Sequence, residues 1–175
     1  SAGVNAIAAR YIGAKDDRKV AQTVHSSFAL GIYGGIVLAI IGVLGARTAL
    51  QWMGTPPDVL GRATIYLQIY SIGMPFAILY MIGAAILRAI GDTKRPFLFI
   101  ILSGIVNVLL NLVFVTVFKM DAAGVAIATK LSNVLSALLI IRVLCRSEGA
   151  IRLVFKKIRF HWETLKEILW IGVPA

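Results

Sequence analysis

The chain has 175 residues, 59% of them hydrophobic, with a mean hydropathy of +0.87 and a formal net charge of +10. Soluble domains are about 45–50% apolar, and no soluble core of this size hides such an excess, so lipid is the expected solvent. A sequence pI of about 10.2 would suggest nucleic acid in a soluble protein, but the charges here fall between apolar runs, and no nucleic-acid partner is expected.

In chain order, Ser1–Ala9 reads as the tail of an earlier span, and Thr164–Ala175, with its apolar run Ile168–Ala175, as the start of a later one. Both ends are expected to cut through hydrophobic segments, which makes the chain a piece of a longer protein. Span A, Ser26–Ala46, contains no charged residue. It carries Gly31, Gly35 and Ala39 at steps of four, with Gly42 and Ala46 further along, a pattern that lets helix backbones approach closely. Met53–Pro57 then forms a turn, with Thr55 expected to cap the next helix and Pro56 to open it.

Span B, Ala63–Leu87, is likewise free of charge. Gln68 and Ser71 are three apart and face one partner. Pro75, in Gly73-Met74-Pro75, has no N–H for the carbonyl of Ser71 and crowds it, so a kink is expected near mid-bilayer, either static or a hinge at Gly73 and Pro75. Gly91 suits the end of this helix and Pro96 the start of the next.

Span C, Phe97–Phe118, is uncharged throughout, with Ser103, Asn107 and Asn111 at steps of four. Span D, Ala122–Ile141, is interrupted only by Lys130 and sets Thr129, Ser132, Asn133 and Ser136 in one helical stripe. Unpaired amides in hydrocarbon cost several kcal/mol, so these stripes face protein or water. They are either structural glue between helices or the lining of a central cavity, with Asn107, Asn111, Thr129, Asn133 and Gln68 as candidate substrate or ion ligands. Lys130 lies about 12 Å into span D at 1.5 Å per residue. An ionisable group there is a functional candidate: it repels cations, pairs with an acid from elsewhere, or changes protonation, unless it snorkels to the interface.

Four runs of about 20 residues or more each suffice to cross roughly 30 Å of hydrocarbon as helices. Their continuous apolarity excludes the alternating strands of a barrel. The expected fold is therefore all-α, a polytopic transmembrane helix bundle. Arg142–Lys166 is strongly basic, and Ile151, Val154, Phe155, Ile158 and Trp162 share a helical face, which suggests a helix lying on an anionic membrane surface. Thr164 and Glu167 read as a capping box for the last run.

The three regions Arg10–Lys19, Arg88–Arg95 and Arg142–Lys166 fall on one side and carry fourteen Lys or Arg residues, against three (Arg47, Arg62, Lys119) on the other. This places the basic loops in the cytoplasm of a multi-pass protein of the cell (plasma or inner) membrane. All eight carboxylates lie outside the spans. His25 and His161 are assigned no function, and the single Cys145 forms no internal disulfide and no cysteine metal motif. With no nucleophile–base pair, metal spacing or phosphate loop, neither catalysis, a metal nor a cofactor is expected.

Ala9-Arg10-Tyr11-Ile12-Gly13-Ala14-Lys15-Asp16, Leu87-Arg88-Ala89-Ile90-Gly91-Asp92-Thr93-Lys94-Arg95-Pro96, Gly124-Val125-Ala126-Ile127-Ala128-Thr129 and Ile171-Gly172-Val173-Pro174-Ala175 resemble, in order and spacing, the multidrug and toxic compound extrusion (MATE) family. The second stretch is the most specific. The resemblance implies half of a two-lobe, twelve-helix transporter that exchanges organic, often cationic, small molecules for H⁺ or Na⁺ by alternating access. Residues 1–141 would supply the end of helix two and helices three to six, residues 142–163 the inter-lobe linker, and residues 164–175 the start of helix seven. Its partners would be the bilayer, a small-molecule substrate and the missing remainder of the transporter. In some members the fifth helix carries an Asn, then an Asp one turn later, and these positions resemble Asn107 and Asn111. The second is an amide here, which puts proton coupling through this helix in doubt. Thr129 matches a polar position of the sixth helix in the same pocket. The competing readings are a flippase for lipid-linked oligosaccharides, which would need a groove rich in Arg and Lys, and a non-transporting membrane scaffold.

Overall fold

The computed structural model describes residues 2–172, in which seven α-helices run α1 (Ala2–Gly13), α2 (Asp17–Trp52), α3 (Pro57–Ile72), α4 (Met74–Ala89), α5 (Lys94–Thr116), α6 (Ala122–Arg146) and α7 (Trp162–Gly172). Val173, Pro174 and Ala175 of the last quoted motif lie outside the described residues. Four stretches are long and apolar enough to cross a membrane: α2, α3–α4 taken together, α5, and α6. The chain is thus an all-helical, multi-pass membrane protein.

The helices outrun the charge-free spans, except that α5 stops at Thr116, two residues short of the end of span C. α2 has 36 residues, about 54 Å at 1.5 Å each, and runs past span A at both ends. Charged residues bound the apolar core without stopping a helix, since Lys, Arg and Glu are good helix formers. The true start signal is Asp16, whose carboxylate accepts from the Lys19 N–H at 3.0 Å. Gly91 ends α4 as expected, at φ +84°, where the Asp92 N–H reaches back to the Leu87 carbonyl.

Two expected caps are replaced. α3 opens one residue later than anticipated, with Pro57 at its first position. Pro56, not Thr55, is its cap residue, held extended (ψ 143°) by the proline that follows. α7 opens earlier, at Trp162, so Thr164 is already inside the first turn and Glu167 forms no capping box. The Glu167 carboxylate accepts instead from the Tyr11 hydroxyl of α1 at 2.5 Å, because packing α7 on α1 turns it inward.

The glycine ladder of α2 does what its spacing anticipates. A Cβ on Gly31 would meet the Ile82 side chain at 2.6 Å, one on Gly35 the Pro75 Cα at 2.8 Å, and one on Gly42 the side chain of Ser71. α2 thus lies backbone-close along α3 and α4. The span-B helix is interrupted at Gly73, between Ile72 and Met74, as the missing Pro75 N–H requires.

The closest-packed region gathers at one end of the bundle, where Val24, Phe28, Ile86, Leu87, Ile140 and Leu144 are almost fully buried. Towards the other end the helices expose large apolar side chains, among them Leu44 (77%), Val108 (65%) and Val117 (68%). A surface of that kind belongs in lipid or against further helices.

The basic segment after α6 is not an amphipathic helix. It makes two 3-10 turns, Gly149–Ile151 and Phe155–Lys157, joined by extended backbone. α6 ends at Arg146, where Ser147 and Glu148 turn extended, Gly149 at φ +75° redirects the chain, and the apolar side chains are used one at a time rather than as a face. Leu153 is fully buried and its N–H bonds the Leu144 carbonyl at 3.1 Å. Full burial of such a side chain stabilises by about 1.5–3 kcal/mol, which favours docking over lying free on a surface.

His25 and His161, given no role from sequence, are the ties. His25 donates from Nδ1 to the Ala21 carbonyl at 2.7 Å, and its Nε2 accepts from the Val154 N–H at 3.2 Å. Ser26 Oγ accepts from the His161 N–H at 3.1 Å. His25→Ala leaves the Val154 N–H without an acceptor, a loss of about 1–3 kcal/mol. Limited trypsinolysis should then cut within 152–159 about 5–100-fold faster than in the parent; an unchanged rate would mean the tie carries no energy.

Candidate functional site

α5 and α6 meet along a polar seam. A helix repeats its face nearly every four residues, so Ser103, Asn107 and Asn111 descend α5 while Ser136, Ser132 and Thr129 descend the facing stripe of the antiparallel α6. Ser103 Oγ donates across to the Ser132 carbonyl at 2.5 Å. Asn107 Nδ2 donates to Thr129 Oγ1 at 3.2 Å and to Ser132 Oγ at 3.3 Å. The α6 hydroxyls accept because each spends its own hydrogen on its helix: Thr129 on the Val125 carbonyl at 2.9 Å, Ser132 on that of Thr129 at 2.8 Å.

Asn107 Oδ1 in turn accepts from Asn111 Nδ2 at 3.1 Å. The chain of bonds stops there. Asn111 Oδ1 is buried and has no partner among the described residues, although such an acceptor costs about 1–3 kcal/mol when left unpaired.

Beside this seam opens a crevice of about 280 Å³. Asn107 forms one wall, Thr129, Asn133 and Ser136 a second, and Ala77, Tyr80 and Met81 of α4 the third. The arrangement offers amide donors and acceptors, hydroxyl lone pairs, an aromatic face and a thioether, but no charge. It suits a small polar or cationic organic group. Both sequence readings of the stripes coexist: the inward-facing atoms are glue between helices, and the outward-facing ones line a cavity.

Other candidates lie apart from it. Gln68 Nε2 donates to the Val43 carbonyl at 3.2 Å, and Ser71 packs on Gly42, so both face α2 as their spacing anticipates. Lys130 turns away from the crevice, toward the break in the span-B helix. Its Nζ stands 3.2 Å from the centre of the Tyr70 ring, and its side-chain stem fills the notch left by Gly73. The side chain is buried, and no carboxylate pairs with it among the described residues. The ring face is a favourable seat for a desolvated ammonium.

The α4 wall escaped the sequence reading, because span B shows no polar stripe at that level. The available signal was Tyr80, whose hydroxyl demands a partner in hydrocarbon and donates to the Pro96 carbonyl at 2.7 Å. Among the described residues no cluster of three or more His, Cys, Asp or Glu side chains could hold a metal.

Membrane-crossing helices with one broken span, and a polar crevice sunk between that span and two others, define part of a polytopic helical membrane protein. The MatE family model matches residues 1–113, and the chain belongs to that family. It is 31% identical over 170 residues to the probable multidrug resistance protein YoeA of Bacillus subtilis, which covers 93% of this chain and 37% of that protein. Against the multidrug export protein MepA of Staphylococcus aureus the identity is 30% over 177 residues, or 99% of this chain and 38% of that one. The fold superposes on a multidrug resistance MATE family transporter of the MOP superfamily solved in its inward-facing conformation, with a TM-score of 0.91 and 26% identity over 99% of this chain and 40% of that one. The TM-score to an outward-facing conformation of a multidrug resistance MATE family transporter of the MOP superfamily is also 0.91, at 26% identity over 99% of this chain and 39% of that one. The chain thus spans about two fifths of the length of the proteins it matches.

Proposed function

We propose that the full-length protein exports small organic molecules, often cationic, in exchange for H⁺ or Na⁺, with the α5–α6 crevice on the substrate and ion path. The observation that carries this reading is the amide ladder Asn111–Asn107–Thr129, of which Asn107 and Thr129 line the open crevice while Asn111, with its buried and unpartnered Oδ1, lies outside the lining. The amides that do line the crevice, Asn107 and Asn133, can bond a substrate or ligate a cation, but an amide releases no proton. A coupling carboxylate, where protons drive export, therefore belongs to helices outside this chain. The relatives named for multidrug export support the substrate class.

Residues 1–141 would form most of one lobe, 142–163 the connection between lobes and 164–175 the start of the second. The equal match to inward-facing and outward-facing structures supports a lobe that rocks as one body, with Gly73 and Pro75 a fixed bend inside it. The basic loops would lie in the cytoplasm. The test is uptake of a fluorescent organic cation into inverted vesicles containing the full-length protein. A proton or sodium gradient should drive accumulation; uptake equal to that of protein-free vesicles under both gradients overturns the reading.

A further inference from the structure

The basic segment, docked rather than helical, builds a second concave site at the opposite extreme of polarity from the crevice. Where it folds back on the first turns of α2 it borders an open hollow of about 600 Å³. Arg18 of α2 faces into it together with Arg152, Lys156, Lys157 and Arg159 of the segment, and no carboxylate lines it. None of the five is ion-paired among the described residues, where the ion pairs are Arg62–Asp121 and Arg95–Asp92. Of the nearest acids in sequence, Asp17 and Glu148 turn to a separate hollow beside Lys15 and Val20, and Glu163 does not line the basic one.

The walls are preorganised. Val154 is held by the buried His25, and His161 by the buried Ser26, so the stretch bearing Lys156, Lys157 and Arg159 is pinned to α2 at both ends. Arg18, Gln22 and His25 are spaced i, i+4, i+7 and share one face of α2 beneath it. A protein that concentrates five cations round one cavity and supplies no counter-charge is built for an external anion. The five side chains are solvent-exposed, yet the docked segment sets all of them round one hollow.

From this convergence we propose that the pocket between the start of α2 and the segment 149–161 binds a phosphate-bearing anion, either the phosphodiester headgroup of an anionic lipid or a free phosphate. Its position at the basic end of the bundle sets it at headgroup level. The proposal stands on the docking geometry and is independent of the export reading. Bound phosphate would neutralise the mutual repulsion of the five side chains and so hold the segment against α2.

The experiment uses the full-length protein and three forms of it: the parent, Lys156→Gln/Lys157→Gln/Arg159→Gln, and a same-face control of equal charge loss, Arg10→Gln/Lys15→Gln/Lys94→Gln. Binding of phosphatidylglycerol is measured by titration into phosphatidylcholine nanodiscs, and binding of inorganic phosphate by titration in detergent. At about fivefold per neutralised charge, the pocket triple should bind on the order of 100-fold more weakly while the control stays near the parent. Loss of phosphatidylglycerol alone assigns the source to lipid; loss of inorganic phosphate alone assigns it to a soluble phosphate; both outcomes support the site. Equal weakening in the control, or no weakening in the pocket triple, overturns it. Arg18→Gln, an exposed change on α2 that leaves the segment's ties intact, guards against undocking and should weaken the same binding about fivefold; parental affinity in Arg18→Gln also overturns the site.

Discussion

Asn107→Ala in the full-length protein should weaken binding of its organic substrate by about 10–100-fold, with a matching loss of export. One amide serves three neighbours: it donates to Thr129 Oγ1 and Ser132 Oγ and accepts from Asn111 Nδ2. Its removal strips a wall of the crevice and frees Asn111 to rotate, and each lost polar contact to a ligand is worth about 1–3 kcal/mol. The effect on folding should be smaller. The two hydroxyls keep their bonds to their own helix carbonyls, and hydrogen bonds between membrane helices average only about 0.6 kcal/mol.

Binding should therefore fall far more than thermal stability, which separates a ligand contact from structural glue. Asn107→Asp keeps the shape and the bond from Asn111 but loses both donations to α6, and should fall between the alanine variant and the parent. Parental affinity for Asn107→Ala, measured by ligand titration on the purified protein, removes the crevice from the substrate path.

Gly35→Leu is expected to be the most damaging packing change. Even a Cβ at Gly35 would approach the Pro75 Cα at 2.8 Å and its Cβ at 3.0 Å. The obstacle is backbone held by a proline ring, which cannot rotate aside. α2 and α4 must separate, at about 1–3 kcal/mol for overpacking of this kind and more as the side chain lengthens. The gain in helix propensity, about 1 kcal/mol for Gly→Ala, does not offset it. Gly45 is the control on the same helix: nothing lies within 4 Å of a Cβ there, so Gly45→Ala should hold or raise the thermal midpoint in detergent. Equal midpoints for Gly35→Leu and the parent would mean the two helices are not in backbone contact.

Such contrasts between neighbouring glycines show how far a one-dimensional pattern carries. Hydropathy and spacing determined on their own that four stretches cross a membrane, that α2 packs through its small residues, that the span-B helix breaks near Gly73, and that polar stripes on α5 and α6 face protein. The stretch Leu87–Pro96 carried the family. These properties are local or periodic: burying a backbone in lipid forces a helix, a proline removes one hydrogen bond, and an amide stripe must find partners. What only the tertiary structure decided were the partners themselves. Lys130 sits on Tyr70 and Gly73 rather than in the crevice, Gln68 answers Val43, Tyr80 and Met81 supply the third wall, and the basic segment docks through His25 and Ser26 into a pocket where its sequence suggested a surface helix. Each of these depends on how a helix is rotated about its axis and on which distant side chain meets it. That choice is fixed by close packing of the whole bundle, and no window along the chain records it.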